Sequence, residues 1–172
     1  KESLVDTVYK VTTGRLTTNG GDCKWEIGKR KKIRGYPAEK APSLCSNTVF
    51  HAYAHPFHAW TYLGNLGVYT GLRLFEATGT IVVRGSNKVG CRSLRLVKEL
   101  SFPRLSNTVL TDMLTMVDGA YVPYASSPKN FRAAFRNQLS VFFRKEHWRL
   151  RRKLCTLYDK LVGAPKDKVR TK

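Results

Sequence analysis

Apolar and polar positions alternate with one period in the first part of the chain and with another in the second. In residues 4–12, LVDTVYKVT, β-branched and aromatic residues alternate loosely with polar ones, which predicts a first strand. Gly14 and then Asn19-Gly20-Gly21-Asp22 supply turn chemistry, because Gly and Asn accept positive φ. Residues 23–27, CKWEI, predict a short second strand. Residues 48–54 alternate again, with Val49 and His51 facing away from Phe50 and Ala52. Pro56 suits the first turn of a helix, where its missing N–H is not needed. Phe57, Trp60 and Leu63 then recur at helical spacing, and Asn65 and Gly67 end the element. Residues 68–83 read as two strands, VYTGLRLFEA and TIVV, broken at Thr78-Gly79. A turn at Gly85-Ser86-Asn87 leads to a last strand over residues 91–100, CRSLRLVKEL.

From Ser106 the period becomes helical. Val109, Leu110, Met113, Leu114 and Val117 line one face and Gly119 closes it. Ser127-Pro128 is a helix start, a capping hydroxyl followed by proline. The apolar stripe that follows runs from Phe131 through Phe142 and Leu150 to Leu161, with a break expected near Glu146-His147, and Gly163 and Pro165 stop it. The predicted fold class is therefore α+β: a mixed, mostly antiparallel sheet followed by two helices, the last one long and basic. Residues 1–103 are expected to form the sheet domain and residues 104–163 a helical part packed on it. Residues 164–172 are expected to be a disordered basic tail.

Charge changes the picture most. The 172 residues include 31 Lys and Arg against 12 Asp and Glu, a formal net charge of +19. Self-repulsion at that density costs stability, so a polyanionic partner is the economical explanation, nucleic acid first. Two stretches concentrate the charge. One is GKRKKIRG over residues 28–35, read as a glycine-bounded loop whose Lys29, Arg30, Lys31, Lys32 and Arg34 contact phosphate. The other is the last helix, with Arg144, Lys145, Arg149, Arg151, Arg152 and Lys153 around Trp148. A salt-bridged helix would interleave acids at i,i+4, and here only Glu146 and Asp159 are present. Bases interleaved with Trp148 and His147 suit stacking together with phosphate contact.

Other features exclude more than they assign. Cys23, Cys45, Cys91 and Cys155 are far apart with no C-x-x-C, against a zinc ribbon or a disulfide-dense secreted module. A reducing compartment is expected, the cytoplasm. No apolar run approaches a membrane span, and the opening residues KESLVDTVYK have no signal-like apolar core. His51, His55 and His58 are closely spaced, but Pro56 interrupts them, and no metal is expected. Cys45 beside His51 or His55 would make a Cys–His nucleophile, against which stands the ordinary role of Cys as a small core residue. Glu76 is the one acid in an apolar strand, where it must meet a partner such as Arg73 or Arg15, point outward, or face a site.

Several stretches resemble a widespread uncharacterised family of bacteriophages and their bacterial hosts: VYK near the start, GGDCKW, Cys45 followed by Phe50-His51, AWTYL, FEATG, and NKVGCRSLRLVKEL. The resemblance covers about residues 8–100 and implies phage association without a transferable activity. A second resemblance is to ADP-ribosyltransferase folds. It implies an NAD-dependent enzyme with Lys10 at the first catalytic position, Tyr53 at the middle one and Glu76 at the last. Lys10 stands where such enzymes carry Arg or His. The expected function is a basic, non-catalytic nucleic-acid-binding protein needing no cofactor, within a larger nucleoprotein or virion assembly. The alternative is the ADP-ribosyltransferase-like enzyme.

Overall fold

The computed structural model describes residues 5–18, 22–34, 41–44, 46–62, 71–85, 88–101 and 148–162. The chain divides into two units, Lys1–Phe102 and Pro103–Lys172. In the first unit the elements are β1 (Asp6–Thr12), β2 (Thr17–Thr18), β3 (Cys23–Lys24), β4 (Arg30–Lys32), β5 (Phe50–Ala52), α1 (Pro56–Tyr62), β6 (Arg73–Arg84) and β7 (Val89–Leu100). The described helix of the second unit is α2 (Trp148–Val162). The α+β class holds, and every described strand pairing is antiparallel. The helix expected over residues 106–119 and the first part of the long one lie outside the described residues, as does the tail.

β6 and β7 form a long hairpin, β1 joins the far side of β6, and both β4 and β5 join the free edge of β7. The chain leaving β5 then returns to β1. Tyr53 bridges Tyr9, with the Tyr9 amide donating to the Tyr53 carbonyl at 2.7 Å and the reverse bond at 2.8 Å. Backbone pairing thus runs β1–β6–β7–β5 and back to β1, a small closed ring. Register irregularities in the β6–β7 hairpin, near Glu76, Thr80 and Ile81, give the strands the curl that closure needs.

Closure gives the strands an inside and an outside. Val8, Trp25, Ala52, Phe75, Ala77, Val89, Cys91, Leu94 and Leu96 form the inner core. Phe75 is fully buried there, a side chain worth roughly 1.5–3 kcal/mol on transfer from water. Outside, α1 packs against β1 and β6 with Phe57 and Ala59 buried. His55 stands just before α1, and its Nδ1 accepts the Phe57 amide at 3.0 Å, the role a Ser or Asp cap usually plays.

Three elements differ from the sequence expectation. Residues 23–27 are a strand only at Cys23–Lys24, after which Trp25 turns into the core. Residues 28–35 are not simply a loop: Gly28, at φ +83, completes a turn in which the Lys29 amide bonds the Glu26 carbonyl at 3.2 Å. The basic residues that follow form the edge strand β4. Thr78-Gly79 does not break β6, which runs through it. Gly79 serves there for close approach, since a Cβ would stand 2.9 Å from Cys91 Sγ and 3.1 Å from the Ser93 carbonyl oxygen.

Gly90 has the same role where β5 meets β7. A Cβ would lie 2.6 Å from Val83 Cγ1 and 2.7 Å from Val49 Cγ2, both on stiff β-branched side chains. Gly90→Ala is expected to destabilise the protein by about 1–3 kcal/mol through overpacking, read as a lower urea midpoint at unchanged slope. An unchanged midpoint would mean that the two valines give way freely.

Candidate nucleic-acid interface

α2 contributes the first basic surface. Leu154 and Tyr158 are buried, four residues apart and hence on one face. Arg149, Arg152, Lys153, Thr156 and Lys160 are exposed. Their spacing of three, one, three and four residues makes a single stripe away from Leu154 and Tyr158. The stripe holds four cations, and Asp159, half-buried beside Lys160, is the one acid of the helix. Trp148 and Arg151 belong to the same helix, whereas Arg144 and Lys145 lie outside the described residues.

The basic run of the first unit divides by strand alternation. Lys31 is opposite Leu94 and turns inward, with its Nζ 5.7 Å from the centre of the Trp25 ring. Arg30 is opposite Arg95 and Lys32 opposite Ser93, both on the outer side and both exposed. Lys29 ion-pairs with Glu26. Arg34 is exposed beyond the end of β4. The edge strand therefore offers two outward cations where the sequence suggested five, and a charged edge also discourages sheet-to-sheet association. Arg95 and Lys98, exposed on β7, join this outer side and were missed. The signal was available: Leu94 and Leu96 face the core, so alternation sends Arg95 outward.

Lys10, Tyr53 and Glu76 do not converge. Tyr53 pairs with Tyr9, and Tyr9 with Glu76, so these three occupy one cross-strand row on the outer side. Lys10, the next residue along β1, points the other way. Its Nζ lies inside the ring, donating to the His51 carbonyl at 2.5 Å and standing 5.5 Å from the centre of the Trp25 ring. Burial lowers the Lys10 ammonium to about 8, partly opposed by the nearby Cys23 and Cys91 sulfurs. Burial likewise lowers the His51 imidazole to about 4, helped by the charges of Lys10 and Lys88. The Arg73 expected as a partner for Glu76 is held elsewhere. It donates to both carboxylate oxygens of Glu99, at 2.8 and 2.5 Å, which keeps the Glu99 carboxyl below its usual range. Glu76 instead lies opposite Lys98 on β7.

The histidines are spread over two roles. His51 is half-buried on β5, whereas His55 and His58 stack edge-on at the start of α1 with ring centres 5.8 Å apart. Among the described residues no group of three metal-binding side chains comes together. Cys23, Cys91 and Cys155 are free thiols, and Cys45 lies outside the described residues. Among the described residues no helix is long and apolar enough to cross a membrane.

No curated protein and no solved structure matches the chain. One family model, described as a domain of unknown function (DUF7666), matches residues 7–108. The match takes in the described strands of the ring from the second residue of β1 onward and stops well short of α2. The chain, matched over more than half its length, belongs to the DUF7666 family.

Proposed function

We propose that this protein is a basic, non-catalytic nucleic-acid-binding protein, phage-associated and working within a larger nucleoprotein or virion assembly. The observation that carries the reading is the stripe of α2. Arg149, Arg152, Lys153 and Lys160 are exposed along one face, opposite the buried Leu154 and Tyr158. Four cations along one exposed helix face make a positive surface on which a polyanion can lie. A net charge of +19 supplies long-range attraction to the same partner. The reading needs no cofactor. Nothing in the arrangement of Lys10, Tyr53 and Glu76 favours the transferase alternative, because Lys10 lies on the other side of the strand.

The test is a binding titration against salt, with DNA and RNA, each single-stranded and duplex. If about six phosphates are contacted, affinity should fall by about 10³-fold or more between 50 and 200 mM salt. Failure to bind at 50 mM, or affinity indifferent to salt, overturns the proposal.

A further inference from the structure

The outer side of the ring carries a cluster that the overall charge does not explain. Arg30, Arg95 and Thr78 form one cross-strand row over β4, β7 and β6. Lys32, Ser93 and Thr80 form the adjacent row. Arg30 Nη1 donates to Ser93 Oγ at 3.3 Å, and Ser93 Oγ lies 3.1 Å from Thr80 Oγ1. The hydroxyls and the Arg30 guanidinium therefore meet on one side of the sheet.

Two features of this cluster are costly without a ligand. Directly opposed like charges destabilise a strand pair, and Arg30 faces Arg95. Arg95 has no ion pair or hydrogen bond among the described residues. Thr78 Oγ1 is buried with no hydrogen-bond partner among them, a costly state for a hydroxyl. A single tetrahedral anion would answer both. Its oxygens accept from the two guanidinium forks, and a hydroxyl donates to the same group. Glu76 lies two residues along β6 from Thr78 and faces Lys98 in register.

We propose that Arg30, Arg95, Ser93, Thr80 and Thr78 form a phosphodiester-binding site for the nucleic-acid backbone on the outer side of β4, β7 and β6. This rests on the nucleic-acid reading and gives the first unit its own contact. The site binds backbone and reads no base, since no aromatic side chain belongs to the cluster.

The experiment uses the full chain, a mixed-sequence single-stranded oligonucleotide and inorganic phosphate. Arg30→Gln/Arg95→Gln should make the salt dependence of oligonucleotide binding shallower by about two units. Arg95→Lys, which keeps the charge, should retain most of the slope. Thr78→Val should melt higher than the parent yet bind more weakly, because it removes an unpaired buried hydroxyl that the ligand uses. Backbone amide resonances of Thr78, Thr80 and Ser93 should shift on adding oligonucleotide to the parent. If the parent binds with a steep slope while the double variant matches it and these amides stay still, the site is wrong and the broader reading stands. Shifts with inorganic phosphate but not with oligonucleotide also overturn it, as a site for a free anion only. If the parent does not bind nucleic acid at 50 mM, both fall together.

Discussion

Replacing Arg149, Arg152 and Lys153 together with Gln should flatten the salt dependence of nucleic-acid binding by about three units. If each residue meets one phosphate, affinity at 50 mM salt should drop by about 10³-fold, with the same loss for every sequence tested. The helix should survive. Gln is a comparable helix former, and Leu154 and Tyr158 on the buried face are untouched. Circular dichroism checks the fold, and binding against log salt for variant and parent gives the slope. An unchanged slope would remove α2 from the interface. The outer side of β4 and β7 would then be the remaining candidate for contact.

The second large effect concerns Lys10 and pH. Its ammonium ionises at about 8 in the folded chain against an ordinary 10.5. Between those values the unfolded chain holds a proton that the folded chain has released, so stability rises with pH. The full span corresponds to about 3 kcal/mol. Cys91 works in the opposite direction: burial raises its thiol to about 11, so from about pH 9 the unfolded chain ionises first and stability falls. Together they predict a rise from pH 8 to 9, a plateau to about 10.5, and a fall beyond. Lys10→Met removes the first contribution and, by taking away the charge that holds the Cys91 thiol down, lets that thiol rise further. Relative to that variant, the parent should gain about 3 kcal/mol between pH 7 and 10.5, measured by urea unfolding at intervals of one pH unit. A parent-to-variant difference independent of pH would show that the amine is not desolvated.

These two residue groups were not equally legible in the sequence. The stripe of α2 follows from helical spacing alone, because Arg149, Arg152, Lys153 and Lys160 recur at the period opposite Leu154 and Tyr158. Most strands were visible from alternation as well. The charge run at residues 28–35 hid its own strand, since Lys31 occupies the inward position that an apolar residue normally marks. Thr78-Gly79 suggested a turn because glycine punctuates many of them. The reason for Gly79 lies in Cys91, Leu94 and Ser93 on the neighbouring strand, which no local pattern reveals. Arg95 was placed correctly on a strand, yet its position opposite Arg30 depends on the register of β4 against β7. The grouping of Lys10 with Glu76 failed on the same ground. One residue of difference along β1 decides between inside and outside.

The ring also orders events during synthesis. Among the described residues β1 pairs with β6 and with Tyr53, so this strand waits for Arg73–Arg84 before its ladder can form. Pairings of such long sequence separation form slowly and leave an apolar strand exposed meanwhile. In that interval Lys10 is a solvated cation in the middle of Thr7-Val8-Tyr9-Lys10-Val11, where a charge opposes association between nascent chains. The residue that costs stability in the finished protein is thus the one that keeps its slowest strand in solution, and a chain with Met there would exchange a safer assembly for a more comfortable core.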